Sequence, residues 1–394
     1  MSSVKECGLF LLIVFGLSGI WVGVLVLPVS QPVVRAGVIT QMAPNSTILY
    51  RGNVHRTGEY EVAGPREFHQ VTWQTRLGQI VHAGPVVADG TLYLATQDGK
   101  LHALDQATGQ DRWAVRLKPA SEVFSSVAVT NGVVLIGTEK KRLLAFDAQS
   151  GRMLWKFKTR GVVWTAPLVV ENTVYFVSDD GTAYAIDLTT RQEVWKVSLG
   201  HRVLWHPVFD QGMVYVSAEN VLMALDAATG QLRWKAEQST ENWWAPPSLA
   251  NGMIYAGNDD GNFYALDGQT GAIRWSTSGG AGNWSGPAIS EGLVFVGNRS
   301  GGFFAFQAET GEPVWRFQAD DWATADPVVA NGVVYFGTGN HENREGQRYL
   351  FALATQSGQE LWRFKADSRL MTAPAVAPGK IFVGSINGTM YAIE

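Results

Sequence analysis

Short apolar runs alternate with polar turn clusters through most of the chain. Val174-Tyr175-Phe176-Val177 is one such run, all β-branched or aromatic, the composition of a strand. Asp89-Gly90, Asn131-Gly132, Asn251-Gly252 and Asn331-Gly332 separate neighbouring runs. Asn-Gly and Asp-Gly are the strongest short signals for a two-residue hairpin. The pattern predicts units of four short strands. In the first unit a strand over residues 85–89 turns at Asp89-Gly90 into a second strand. Polar turns such as Asp259-Asp260-Gly261 lead to third strands, and an Asp-x-x-Thr-Gly turn leads to each fourth. The Asp carboxylate of that turn can accept backbone N–H groups, and its Gly takes positive φ.

The units repeat. Trp73, Trp113, Trp155, Trp195, Trp234, Trp275, Trp315 and Trp362 follow at steps of 40, 42, 40, 39, 41, 40 and 47 residues. Ten residues before seven of them stands an alanine: Ala103, Ala145, Ala185, Ala224, Ala265, Ala305 and Ala352. Ala392 ends the series without its tryptophan. The consensus loosens at Arg191, where Gly is expected, and at Gln307 and Ala354, where Asp is. Four-stranded units of about 40 residues signal a β-propeller. Seven units are complete; the eighth stops after its third strand at Glu394, and residues 67–78 hold a tryptophan strand with no three before it. The sequence therefore predicts an all-β, eight-bladed β-propeller of four-stranded blades over residues 67–394, closed by the N-terminal strand carrying Trp73. Each indole is expected to lie over its alanine and wedge adjacent blades.

Residues 7–34 carry no charge, and residues 8–27 supply 20 mostly apolar positions, enough to span a bilayer as a helix. A signal anchor over residues 1–35 is expected. A signal peptide cleaved near Val34-Arg35-Ala36 is the alternative. Either places the remainder outside the cytoplasm, anchored in the cytoplasmic membrane through residues 8–27, or secreted after cleavage. Residues 36–66 hold Pro44, Gly52, Gly58 and Gly64 without a clear period and form a lead-in segment.

Composition narrows the function. Of 394 residues 46% are hydrophobic and 17% charged, which excludes a disordered chain. The net charge is −4 and no basic block occurs in the sequence, so nucleic acid is not expected as a partner. Cys7 is the one cysteine. It allows no intrachain disulfide or cysteine metal site, and by preceding the apolar run it cannot serve as a lipobox cysteine.

The Ala-x-Asp-x-x-Thr-Gly-x-x-x-Trp signature resembles the pyrroloquinoline-quinone (PQQ)-like propeller repeat over nearly the whole exported part. The lead-in stretch Tyr50-Arg51-Gly52-Asn53-Val54-His55-Arg56-Thr57-Gly58 is similar to the segment that often precedes such propellers. The resemblance implies one of two roles. The quinoprotein alcohol and glucose dehydrogenases bind the quinone and Ca²⁺ in the propeller channel. The propeller subunit of the bacterial outer-membrane β-barrel assembly machine is a non-catalytic scaffold. The alcohol dehydrogenases cover their quinone with a vicinal disulfide and build their site from long loops. This chain has neither the cysteines nor the loops, so a PQQ-dependent oxidoreductase is the lesser alternative, and no cofactor is expected.

No Ser-His-acid motif, P-loop or metal-spaced histidine pair appears, so no catalytic or metal residue is assigned. His102 stands where other units place Leu144, Tyr184 or Tyr264, a packing position. His201 and His206 lie five apart in a connector, and Asp179, Asp180, Asp259 and Asp260 recur in turns, where turn formation accounts for them. More telling are Trp164, Trp205, Trp243, Trp244, Trp284 and Trp322. All lie in connectors between a fourth strand and the next first strand, within five residues of the proline that follows. Phe124 takes the same place in the second unit, His82 in the first and Met371 in the last. These connectors share one end of the disc. Phe124, Trp164, Trp205, Trp244, Trp284 and Trp322 are therefore expected to form an aromatic arc around the channel mouth, with Glu241, Asp320, Asp321 and Asp326 adding negative charge. The long turn 339–348 should overhang it. Such a face suits a protein or extended peptide first, and a glycan or flat small ligand next. The opposing expectation is that the indoles fold inward as core.

Overall fold

The computed structural model describes residues 47–117, 122–237, 244–282, 285–340, 346 and 348–394, with the backbone of 15–16 and 19–20. The expected anchor otherwise lies outside the described residues. Its described part is a two-residue antiparallel pair, Phe15–Gly16 with Gly19–Ile20.

Eight sheets, antiparallel within each blade, make up the remainder, and no helix occurs among the described residues. Blade one comprises Val86–Ala88, Thr91–Thr96, Lys100–Asp105 and Asp111–Arg116, hydrogen-bonded in chain order. Blades two to seven repeat this order. Blade eight joins Ala375–Ala377, Lys380–Gly384 and Thr389–Ile393 to Val71–Arg76, which supplies its outer strand. The first-to-second-strand turns have positive φ at both central residues, 46° and 69° at Asp89-Gly90 and 48° and 73° at Asn131-Gly132. These are type I′ turns, whose twist matches the hairpin.

The tryptophans hold the blades together, each beside its alanine and against the next blade. Ala103 and Trp113 are cross-strand neighbours, as are all eight such pairs through Ala392 and Trp73. Six of the eight rings lie against a glycine of the next blade. A Cβ on Gly151 would lie 2.7 Å from the Trp113 ring, and one on Gly271 2.6 Å from Trp234. The Asp-x-x-Thr-Gly glycine thus serves the turn and also gives the neighbouring indole room. The indole N–H donates to that turn's backbone, Trp113 to Ala148 O at 2.9 Å and Trp234 to Gly268 O at 2.9 Å. At the junction of blades seven and eight Trp362 reaches Pro65 O instead, at 3.0 Å. The turn carboxylates accept as expected: Asp105 Oδ1 takes the N–H groups of Ala107 and Thr108, both at 3.0 Å.

The lead-in is not an external arm. Thr47–Leu49 adds an antiparallel strand inside the first strand of blade two, and Glu59–Tyr60 adds a parallel one inside blade seven. Between them the inner strands of blades four to seven donate to it in turn. Phe209, Leu249, Ile289 and Val329 give their N–H groups to Val54, His55, Thr57 and Gly58 carbonyls at 2.8–3.0 Å. Residues 47–60 therefore form a bent hairpin that fills the central channel.

Candidate functional site

The connectors meet at one end of the disc. The residue four before the proline position is a fully buried anchor: Val81, Val123, Val163, Val203, Ala323 and Leu370 are all 0% exposed. The next residue turns toward the channel mouth. His82, Phe124 and Trp164 occupy it in blades one to three as one partly exposed row, with ring centroids 5.0 and 6.0 Å apart. Arg202 lies 5.3 Å above the Trp164 ring, and Arg299 5.5 Å above that of Trp322.

The arc is less regular than the sequence suggests. Trp205 stands one residue nearer its proline than Trp164 does, and Trp322 two farther. Both rings remain partly exposed. Trp284 and Trp243 lie outside the described residues, as does Glu241. Trp244 contradicts the expectation of an open binding face: it is 1% exposed. Its indole donates to Asn220 O at 3.2 Å and meets Tyr264 edge-on at 5.3 Å. The cause is local. The Glu219-Asn220 turn is one residue shorter than its counterpart at Gln97-Asp98-Gly99, and the indole fills the space. Trp244 is core. Phe124, Trp164, Trp205 and Trp322 are the described rings that reach the mouth.

The mouth has a floor. The bend of the lead-in hairpin brings Tyr50, Arg51 and Arg56 to the level where the inner strands begin. Both arginines are 1% exposed. Arg56 donates to the carbonyls of Tyr50, Ala166, Pro167 and Pro207 at 2.8–3.2 Å. Arg51 binds Pro287 O at 2.5 Å and Ser248 Oγ at 3.2 Å, with Asp326 at 3.9 Å. The residues just before the prolines surround this tip. Gly84 and Gly286 are required there: a Cβ on either would strike Tyr50 or Arg51. Asp326 accepts from Tyr50 Oη and from the Gly286 N–H, so its charge is spent inside the channel instead of at a binding face. His206 packs edge-on against Tyr50 at 5.0 Å, and its Nδ1 accepts the Ala166 N–H at 2.7 Å. Burial, then Arg56 and Arg51, hold His206 well below the usual imidazole range. Burial also pushes Arg56 down to about 9. Tyr50 is raised, by burial first and Asp326 second.

The lead-in thus occupies the channel between the inner strands, and partly exposed rings lie among the connectors at one end. Residues 50–58 lie among the inner strands, and both guanidinium groups are engaged there by carbonyls. His102, 2% exposed, packs as expected and bonds Asp111 at 3.0 Å. The aspartates at 179 and 180 serve turns: Asp179 accepts from the Val162 N–H, and Asp180 from Ser178 and the Thr182 N–H.

These features define an eight-bladed PQQ-like-repeat propeller with a filled channel. The chain belongs to the family described as outer membrane protein assembly factor BamB, whose repeat profile matches residues 66–160, 97–199, 179–283, 277–349 and 342–394. Among relatives, the BamB of Yersinia pestis is 25% identical over 56% of this chain, and that of Nitrosomonas eutropha 30% over 41%. The chain covers 62% and 41% of their respective lengths. The dehydrogenase subunit of a quinone alcohol dehydrogenase from Gluconobacter oxydans is 27% identical over 50% of this chain and 24% of its own length. The solved structure of BamB from Moraxella catarrhalis superposes with a TM-score of 0.68 at 19% identity, covering 82% of this chain and 99% of that one. A quinohemoprotein alcohol dehydrogenase from Comamonas testosteroni reaches 0.74 at 16%, covering 88% and 80%. Likeness at these identities shows the fold alone.

Proposed function

We propose that this chain is a non-catalytic scaffold of the cell envelope, held outside the cytoplasm, that takes part in outer-membrane protein assembly. Its aromatic bowl receives an extended protein segment. Family membership supports the assembly role. The observation that carries the bowl is the plug. With residues 47–60 inside the channel, the aromatic connectors and the Tyr50–His206 floor remain as a concave surface open at one end. Large rings flanked by arginines suit a peptide, because they give apolar area and cation–π contacts at low entropic cost. The quinoprotein alternative gains no support from the site, since the plug fills the channel.

The test is capture of envelope proteins from membranes by the chain and by a Phe124→Ala/Trp164→Ala/Trp322→Ala variant. The partly exposed rings should be removable with little loss of stability, and captured partners should disappear. A stable variant that still captures every partner would refute the bowl.

A further inference from the structure

The fold assembles a basic patch that no stretch of sequence displays. The eight outer strands carry twelve Lys or Arg against four Asp or Glu, in a chain of net charge −4. Positive charge on open strand edges discourages edge-to-edge association, and most blades neutralise it locally. Arg112, Arg233 and Arg274 pair with Asp105, Asp226 and Asp267 at 2.6–2.8 Å.

Blade two departs from this. Its outer strand Met153–Lys158 and third strand Arg142–Asp147 set Arg142 directly opposite Lys158, a like-charge cross-strand pair. Lys156 lies two residues along on the same face. The Thr159 N–H donates to Lys141 O at 3.0 Å, which pins Arg160 beside the Lys140-Lys141 turn. Lys141, Arg142, Lys156, Lys158 and Arg160 form no ion pair among the described residues. The nearest acid in sequence, Glu139, lies beside Glu122: its N–H donates to the Glu122 carbonyl, and burial first, then the Glu122 charge, raise its carboxyl.

Comparison with blade one isolates the change. There Lys100 stands opposite Arg116, and Asp98 bridges Arg116 at 3.1 Å. The counterpart of Asp98 in blade two is Lys140. The next position is Gly99, Gly181, Gly261, Gly301 and Gly388 in five blades, at φ between 77° and 88°, and Lys141 at 55° in blade two. A lysine thus occupies backbone that disfavours any L side chain. Strain and like-charge opposition in one place favour a ligand that repays them.

We propose that the rim of blade two is a docking patch for an anionic phospholipid surface. The charge is complementary to such a surface. A basic cluster of this size is what anionic headgroups attract. The proposal rests on the envelope location proposed above but not on the bowl.

The test mixes the full chain with vesicles of phosphatidylcholine, or with about a third of that lipid replaced by phosphatidylglycerol, and reads lysine acetylation by mass spectrometry. The apolar residues 8–27 partition into either vesicle, so the comparison isolates the patch. Lys141, Lys156 and Lys158 should react at least about fivefold more slowly with phosphatidylglycerol alone, and high salt should abolish the protection. Lys235 and Lys365 should react equally in both. Lys156→Glu/Lys158→Glu should remove the difference. Lys141→Gly, which restores the glycine of the other blades, should weaken protection while raising Tm, so misfolding cannot explain the loss. Equal reactivity in both vesicles would overturn the proposal. So would stronger protection of these lysines by a single-stranded oligonucleotide, which would make the occupant a nucleic acid.

Discussion

Arg56→Ala tests whether the plug is a structural part of the propeller. The side chain is 1% exposed and donates to four carbonyls drawn from the lead-in and from blades three and four. Ala strips a donor from all four. At about 1 kcal/mol for each buried acceptor left unmade, the loss is about 4 kcal/mol. The backbone sits at φ 52°, where Ala and Arg bear a similar cost, so that contribution cancels. A propeller of this size has an unfolding entropy near 0.7 kcal/mol/K, so Tm should fall by about 5–6 °C. Arg56→Lys keeps the charge but loses the planar fork and should fall between. Calorimetry measures the total, and hydrogen exchange locates it. The amides of Phe209, Leu249, Ile289 and Val329, which bond to the lead-in, should lose protection, while outer-strand amides keep theirs. A variant melting within about 1 °C of the parent, with those four amides still protected, would refute the stapled plug.

Gly109→Ala should cost roughly 2–4 kcal/mol, because its Cβ would strike the Trp73 ring at φ 70°. Gly132→Ala, at φ 73° with nothing within 4 Å, should cost only about 1 kcal/mol by urea denaturation; equal losses would undo the wedge assignment. His206 is held neutral in the fold and titrates near 6.5 when unfolded. Stability should therefore hold above pH 6.5 and decline as pH falls below it, by up to about 1.4 kcal/mol per unit. Urea midpoints at pH 7.5 and 5.0 (about 2.5 units apart) check this. His206→Gln, an acceptor that cannot titrate, should flatten that part of the profile. Trp244→Ala should cost about 3–5 kcal/mol as a core truncation, and Trp164→Ala less, as a partly exposed ring; thermal melts showing the reverse order would return Trp244 to the bowl.

The propeller was legible because each unit repeats a local signal. Positive-φ pairs such as Asn131-Gly132 and the Asp-x-x-Thr-Gly turn dictate hairpins from a few residues, and the tryptophan period counts the blades. The partner of the indole was not legible from the period. Ala103 keeps a fixed ten-residue spacing to Trp113, whereas Gly151 and the Ala148 carbonyl come from the next blade, and only the packing of the two blades shows that the ring meets them. The plug was hidden because it borrows its hydrogen bonds one at a time from different blades. A strand that pairs with five sheets leaves no alternating pattern, and its two buried arginines look like ordinary surface charges in sequence. Trp244 was misplaced for a reason visible only by alignment of turns, the single residue missing at Glu219-Asn220. The basic patch escaped notice because Lys140-Lys141-Arg142 and Lys156-Phe157-Lys158-Thr159-Arg160 are each too short to stand out, and the hairpin alone brings them together.

The plug also fixes how the molecule can present its two surfaces. A through-channel would let a ligand approach from either end, but residues 50–56 close it, so everything reaching the rings arrives from the connector end. The basic patch lies at that same end of the rim, since Arg142, Lys158 and Arg160 sit where blade two meets its turn and its outgoing connector. Phe124 enters blade two from the same side. A lipid surface against the patch would therefore place the bowl beside the membrane instead of facing away from it, and a segment emerging from that membrane would meet the row His82, Phe124 and Trp164 first. If the patch meets a membrane and the arc a partner, the plug leaves one orientation, in which the half of the bowl nearest blade two would be the entry. Truncating Phe124 should then slow partner association more than truncating Trp322 on the far side, while both raise the dissociation rate alike. Association kinetics on vesicles containing phosphatidylglycerol, compared with the same proteins in detergent, separate the cases: an ordering that persists in detergent would show that the membrane does not set it.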